Sequence, residues 1–187
     1  MEQAPARSGA IRVVLVDDSR VVKRALEQML AREPGIEVVG SAADGAEGLR
    51  VVRQLDPDVL VLDVEMPGMD GIETVRALRK ENRRVAIIMF STLTDRGADV
   101  TLEALALGAS DYALKPSASG VFGPSAEQVK SELIARIRIH GARRRQALRG
   151  VPPPAAVAGL APAPGPAPAR SVPRLANLPA QRPAVLA

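Results

Sequence analysis

Four short apolar runs of the chain each end at polar residues that could take part in chemistry. These residues are the acid pair Asp17 and Asp18, the acid Asp63, the hydroxyl residue Ser91 and the base Lys115. Short runs rich in Val, Ile and Leu are typical of strands that are buried on both faces of a parallel sheet. In open α/β sheets, ligands bind beyond the carboxyl ends of the strands. If the four runs are parallel strands, three carboxylates, a hydroxyl and an ammonium therefore face one cleft.

The chemistry that this set of side chains favours is phosphoryl transfer. Clustered carboxylates repel each other unless a cation neutralises them, and Mg²⁺ typically takes one or two carboxylates while it keeps several waters. Phosphoryl transfer depends mainly on positioning and on charge neutralisation, and Lys115 adds positive charge beside an oxygen nucleophile. We therefore predict that Asp63 attacks a phosphorus atom, that Ser91 hydrogen-bonds one phosphoryl oxygen, and that Lys115 and Mg²⁺ hold the others.

Helical segments separate the apolar runs, so that a βα unit occurs five times. The predicted strands are residues 11–17, 36–41, 59–63, 85–90 and 109–114. The predicted helices begin after the N-capping residues Ser19, Asp44, Asp70, Thr94 or Asp95, and Ser125. The connections are too short for anything but crossovers, which predicts an α/β fold with a doubly wound, five-stranded parallel sheet. The expected buried residues of the last helix are Val129, Leu133, Ile134 and Ile137.

Composition limits the class of protein. Of the 187 residues, 47% are hydrophobic and none is cysteine, which permits a core and excludes disulfides and cysteine metal sites. No apolar run approaches the roughly 18–20 residues of a membrane span. Residues 1–10 lack the apolar segment of a secretory signal. We therefore expect a cytoplasmic protein.

The C-terminal third carries the positive charge. Residues 136–149 hold six arginines and His140 but no acid. Such a run could bind nucleic acid, but it has no interleaved aromatic residues. A solvated helix end is the favoured interpretation, because cations are stabilised near a helix C-terminus. On that interpretation His140 is a surface residue and not a ligand.

The final segment is rich in proline and alanine. Residues 151–187 hold ten of the 16 prolines, a composition that cannot bury enough surface to order itself. We predict a flexible leader over residues 1–10, a folded domain over 11–145 and a disordered linker or tail over 146–187.

Four motifs, in order, resemble the receiver domain of response regulators. They are D-D-S at 17–19, L-D-V-E-M-P-G-M-D-G at 62–71, S-T at 91–92 and K-P at 115–116. The resemblance implies a flavodoxin-like fold with strand order 2-1-3-4-5, and Asp63 as the acceptor of phosphate from a histidine kinase. It also implies Mg²⁺ bound directly by Asp18, Asp63 and the backbone carbonyl of Glu65, with Asp17 acting through water. Ser91 and Tyr112 would form a switch pair, and the Lys115-Pro116 peptide bond would be cis.

Each candidate residue also has an ordinary structural interpretation. The alternatives are a capping pair at Asp17-Asp18, a turn acid at Asp63, a turn cap at Ser91 with Thr92 as the functional hydroxyl, a surface lysine at Lys115, a half-buried strand residue at Tyr112 and a solvent-facing loop acid at Glu65. The joint occurrence of acids and a lysine at strand ends favours the functional interpretation.

Longer stretches, such as F-S-T-L-T-D-R-G-A-D-V-T-L-E-A-L at 90–105, resemble the receiver half of the chemotaxis protein-glutamate methylesterase. In that family a Pro/Ala-rich linker leads to a hydrolase domain that uses Ser, His and Asp. No G-x-S-x-G motif occurs in residues 1–187, so we expect no methylesterase activity from this polypeptide. The remaining alternatives are a stand-alone receiver, a regulatory fragment of a protein-glutamate methylesterase whose hydrolase domain is absent from this chain, and a DNA-binding regulator. The partners that the resemblance implies, besides the histidine kinase, are a methylesterase domain or a chemoreceptor assembly.

Overall fold

A computed structural model describes residues 9–81, 84–92, 102–116 and 125–149 of the chain. These residues form a five-stranded parallel sheet in the order β2-β1-β3-β4-β5. The strands are β1 (Ile11–Val16), β2 (Ile36–Ala42), β3 (Val59–Asp63), β4 (Ala86–Ser91) and β5 (Asp111–Leu114). The predicted flavodoxin-like topology is therefore confirmed. All the described residues belong to one compact unit, 1–153.

Within the described residues, five helical segments flank the sheet. They are α1 (Arg20–Leu30), α2 (Gly45–Leu55), α3 (Gly71–Lys80), α4 (102–106) and α5 (Ala126–Leu148). None of the described helices is both long and apolar enough to cross a membrane.

The predicted N-caps at Ser19, Asp44, Asp70 and Ser125 are confirmed. Asp70 and Ser125 form full capping boxes. At Asp44 the box differs, because the Glu47 carboxylate accepts from the amide of Ala43 instead. Thr94 and Asp95, the alternative caps of the fourth helix, lie outside the described residues.

The core consists of two apolar layers, one on each face of the sheet. Alternate residues of β3 supply both layers, with Leu60 and Leu62 in one and Val59 and Val61 in the other. Helices α2, α3 and α4 cover the first layer, while α1 and α5 cover the second. The four α5 residues that were predicted to be buried are all buried, namely Val129, Leu133, Ile134 and Ile137. Strand β3 is buried along its whole length, so its carboxyl end places Asp63 at the edge of a closely packed core.

The interpretation of residues 136–149 as a solvated helix end holds for the exposed Arg138, Arg143 and Arg149 but is wrong at Arg144 and His140. The Arg144 side chain is only 7% exposed, and it donates to the Pro57 carbonyl at 3.0 Å and to the Asp56 carboxylate at 2.7 Å. His140 is also largely buried, 13% exposed, with Nε2 2.9 Å from Asp111 Oδ2. The physical reason is that α5 lies along the sheet, so that acids and carbonyls distant in sequence become its partners. Helix α5 also continues to Leu148, past the predicted domain boundary at 145.

A close backbone approach fixes the start of α3 against the end of β3. The Gly71 amide donates to the Val64 carbonyl at 3.0 Å, and the Cα of Gly71 lies against the carbonyl oxygen of Asp63. A Cβ atom at Gly71 would stand well inside van der Waals contact of that oxygen and 3.0 Å from the Val64 Cα. Only glycine therefore permits this packing, which determines where the Asp63 backbone lies.

We predict that Gly71→Ala lowers the free energy of unfolding by about 1–3 kcal/mol, the range for overpacking against atoms that cannot move aside. Gly9→Ala is the matched control, because its added Cβ meets no atom within 4 Å, and it should change stability by less than about 0.5 kcal/mol. Urea denaturation of the two variants measures the difference. Equal stability of both variants would show that the β3–α3 connection accommodates a side chain.

Candidate functional site

The carboxyl ends of four neighbouring strands meet at one edge of the sheet and enclose a cavity of 360 Å³. Its lining consists of Asp18, Asp63, Val64, Glu65, Ser91, Thr92 and Lys115. The buried residue Asp17 adjoins this lining through Lys115. The structure thus brings together the acids, the hydroxyl and the ammonium that follow the apolar runs in the sequence.

Three carboxylates form the acidic part of the site. Asp17, Asp18 and Asp63 each offer an oxygen, and these oxygens all lie within 4.8 Å of one another. Asp17 and Asp63 are 2% and 4% exposed, whereas Asp18 is open to solvent. Asp17 is oriented by the Ser19 amide, which donates to its Oδ1 at 2.8 Å. Such a set of oxygens is one that Mg²⁺ accepts.

Lys115 joins two of these acids. Its Nζ lies 2.9 Å from Asp17 Oδ2 and 2.8 Å from Asp63 Oδ2, and it stands 5.8 Å from the centroid of the Phe90 ring. The backbone positions it too, because the Lys115 amide donates to the Ser91 carbonyl at 2.7 Å. The lysine therefore neutralises part of the negative charge.

Burial and neighbouring charge shift the pKa values of this pair. Burial raises the pKa of Asp63, as does the charge of Asp17, and the ammonium of Lys115 offsets only part of that rise. For Lys115, burial alone would lower the pKa, but its hydrogen bonds to Asp17 and Asp63 outweigh burial and raise it. The lysine is therefore firmly charged, while the ionised form of Asp63 is less favourable in the site than it is in water.

The two residues that were expected to form a switch pair lie on neighbouring strands. Ser91 ends β4 and is buried, and its hydroxyl donates to the Thr92 carbonyl at 3.3 Å. Tyr112 lies in β5 opposite Met89, outside the described lining of the cavity. Its ring is half-buried against the layer that α2, α3 and α4 cover, and the guanidinium of Arg136 stands 5.8 Å from its centroid.

Two features of the site differ from the sequence analysis. The Lys115-Pro116 bond is trans, because no cis peptide occurs among the described residues, so the expectation of a cis bond is wrong. Its two isomers differ by only about 0.5–1 kcal/mol, and the intrinsic preference is for trans. Lys23 was not singled out, yet its Nζ donates at 2.9 Å to the Ala42 carbonyl that also accepts from the Asp17 amide. The sequence signal for this contact was that Lys23 lies one helical turn after the N-cap residue Ser19, and therefore close to the end of β1.

Comparison with known proteins places this geometry in a family. The family model for the response regulator receiver domain matches residues 13–122. The chain is 54% identical over 128 residues to a protein-glutamate methylesterase/protein-glutamine glutaminase of Nocardioides sp., which covers 68% of this chain and 35% of that protein. The corresponding protein of Maricaulis maris is 40% identical over 164 residues, which covers 88% of this chain and 39% of that protein.

A solved structure agrees with this assignment. The response regulator domain of Thermotoga maritima CheB is 38% identical, with a TM-score of 0.63 over 71% of this chain and 97% of that domain. The chain spans little more than a third of the length of the curated relatives that it matches. The chain belongs to the response regulator receiver family, and its receiver is of the type found in the chemotaxis protein CheB.

Proposed function

We propose that this receiver accepts a phosphoryl group on Asp63 from a phosphorylated histidine kinase, with Mg²⁺ as cofactor, in chemotaxis-type signalling. The observation that carries the proposal is the position of Lys115, which lines the cavity and whose ammonium bridges the buried carboxylates of Asp63 and Asp17. An ammonium held beside the acceptor carboxylate can neutralise negative charge on the phosphoryl oxygens, and phosphoryl transfer requires such neutralisation.

The reaction forms an acyl phosphate. An oxygen of Asp63 attacks the phosphorus, the bond from phosphorus to the kinase histidine breaks, and the electron pair of that bond stays on the histidine. Lys115 holds one phosphoryl oxygen through its ammonium. The Ser91 hydroxyl, which donates to the Thr92 carbonyl at 3.3 Å, is close enough to the cavity to donate to a second phosphoryl oxygen.

The acidic cluster fits a hard divalent cation. Three carboxylates face one ammonium, which leaves an excess of negative charge, and Asp18 is exposed enough for a partly hydrated ion to reach it. Asp18, Asp63 and the backbone carbonyl of Glu65 would hold the ion, with Asp17 acting through water. When bound, Mg²⁺ supplies charge neutralisation to the phosphoryl oxygens and favours the ionised form of Asp63.

The curated relatives suggest the output of the receiver. They are methylesterase/glutaminase proteins of which this chain covers little more than a third. We propose that a methylesterase domain, or the chemoreceptor assembly on which such a domain acts, is the partner that responds to phosphorylation. The cytoplasmic location expected from the sequence belongs to the same proposal.

DNA binding has less support. Four of the six arginines in residues 136–149 already bond to other parts of the protein, namely Arg136, Arg138, Arg144 and Arg145. Arginines that are held this way contribute less to a phosphate-binding surface than free ones would.

The first prediction concerns the acceptor. Incubation with acetyl phosphate and Mg²⁺ should add one phosphoryl group to the protein, and Asp63→Asn should abolish the addition, because an amide cannot form the acyl phosphate. Intact-mass spectrometry measures both. Asp70→Asn is the control, since it retains a good N-cap residue outside the cavity lining and should be labelled like the original chain. Full labelling of the Asp63 variant would remove this residue from the reaction.

The second prediction concerns the metal. Mg²⁺ should raise the melting temperature by binding the folded state, and Asp18→Asn should weaken binding by at least about tenfold, since it removes a charged ligand. Titration calorimetry and thermal melts measure the two effects. Glu37→Gln, which removes an exposed acid of β2, should leave Mg²⁺ binding unchanged. Equal Mg²⁺ affinity of the two variants would count against the proposed ligand set.

The third prediction concerns pH. The pKa of Asp63 is higher in the folded state than in the unfolded chain, where it is about 4. The stability of the folded state therefore falls as pH rises from the unfolded-state pKa through the folded-state pKa. Without divalent cations, Asp63→Asn should therefore be more stable than the original chain at pH 7, and this difference should vanish at acidic pH. Urea denaturation in EDTA across pH gives the comparison. Loss of stability at pH 7 would show that the ion pair with Lys115 outweighs the burial of Asp63.

A further inference from the structure

Strand β5 and helix α5 are joined by a cluster of four side chains on the edge of the sheet. We call this cluster the β5–α5 clamp, and its members are Asp111, Tyr112, Arg136 and His140. Asp111 is its centre, because its Oδ1 accepts from the Tyr112 amide at 2.8 Å and from Arg136 Nε at 3.3 Å, while His140 Nε2 lies 2.9 Å from its Oδ2. The phosphoryl transfer proposed above uses none of these four residues directly.

Arg136 has a second contact that reaches the ring of Tyr112. The guanidinium carbon stands 5.8 Å from the ring centroid, within the distance at which a cation is attracted to an aromatic face. Asp111 and Glu132, whose carboxylate lies 3.2 Å from Arg136 Nη1, hold the guanidinium in place. The tyrosine also packs against the apolar layer under α2, α3 and α4. The arginine thus holds the ring from the α5 side.

The position of Tyr112 on β5 links this contact to the cavity. The strand ends at Leu114, which pairs with Ser91, and the next residue is Lys115. The same four-residue strand therefore carries the ring at its second residue and the cavity ammonium directly after its last. A change at Ser91 or Lys115 that moves the Tyr112 ring would therefore also alter the contact between the ring and Arg136.

We propose that Arg136 is a positioning residue that holds the Tyr112 ring in its resting orientation and couples α5 to the state of the cavity. The coupling rests on the proposed function, because it requires the cavity to bind a phosphoryl group. A contact that exists only in the resting state stabilises that state, and so raises the free energy needed to reach the phosphorylated state by the free energy of the contact. Loss of Arg136 should therefore make the resting ring more mobile and the phosphoryl-bound state easier to reach.

The composition of the chain allows a direct test, since Tyr112 is the only tyrosine and tryptophan is absent. Tyrosine fluorescence of the full chain therefore reports on this ring alone. The variants are Arg136→Ala and, in case truncation impairs folding, Arg136→Met, which keeps an apolar stem but removes the charge. Arg138→Ala is the matched control, because it removes an exposed arginine of α5 that pairs with Glu33 and not with the clamp.

The first measurement is quenching of Tyr112 fluorescence by acrylamide in the resting protein. We expect Arg136→Ala and Arg136→Met to be quenched more strongly than the original chain, and Arg138→Ala to match it. The second is titration with beryllofluoride, an analogue of the phosphoryl group, in saturating Mg²⁺. We expect both Arg136 variants to bind it about two- to fivefold more tightly, the range that an exposed cation–π contact supports.

The outcomes separate the two proposals. Quenching and beryllofluoride affinity of the Arg136 variants equal to those of Arg138→Ala would overturn the role of Arg136. Absence of any beryllofluoride response in the original chain would overturn the proposed function and, with it, the coupling. Increased quenching in that case would still support the positioning of the ring. Weaker beryllofluoride binding by the Arg136 variants would show that the contact belongs to the phosphorylated state, which contradicts the proposal.

Discussion

The structure depends on one ammonium placed between two buried carboxylates. Removing charges from water costs several kcal/mol for each ion, and only close, well-oriented partners repay that cost. Lys115 is such a partner, at 2.9 Å from Asp17 and 2.8 Å from Asp63, and it offsets part of that cost. The three residues come from the ends of β1, β3 and β5, so this geometry requires the register of the sheet to be correct across four strands. The buried strands and the amide of Lys115 on the Ser91 carbonyl fix that register.

The balance of charge at this point is incomplete, and on the proposed function this incompleteness is what allows the site to respond to a bound cation. Lys115 neutralises one negative charge among three, and the pKa of Asp63 stays raised despite the ion pair. A site that was fully neutralised by protein groups would have no affinity for a further cation or for a ligand that brings its own cation. The fold thus surrounds the site with closely packed strands and leaves an excess of negative charge within it. A bound cation would relieve that excess.

The parts of the fold that could be predicted from the sequence are those with a local signal. The apolar run before Asp63 and the caps at Ser19, Asp44, Asp70 and Ser125 depend on neighbours within a few residues, and the structure confirms them. The sheet order, the set of metal ligands and the pairing of Ser91 with Tyr112 came from resemblance to a family, whereas the roles of Asp63, Ser91 and Lys115 were predicted from their chemistry and their positions at strand ends. His140 and Arg144 were misjudged because their partners lie 29 and 88 residues away, and the arginine-rich run over residues 136–149, which holds no acid of its own, looks solvated when read alone. The isomer of the Lys115-Pro116 bond was misjudged because its two forms are nearly equal in energy.

The edge position of β5 explains why α5 carries so many long-range contacts. A four-residue strand with a single neighbouring strand has little stability of its own, yet β5 must place Lys115 accurately in the cavity. Asp111 bonds to α5 at the first residue of the strand, while Leu133 and Ile137 of α5 pack in the layer beneath Ala113. Further along the helix, Arg144 binds the turn that leads into β3. One helix contacts both the strand that precedes Lys115 and the turn before the strand that ends in Asp63. We therefore expect a displacement of α5 to change the distance between the charges of Lys115 and Asp63.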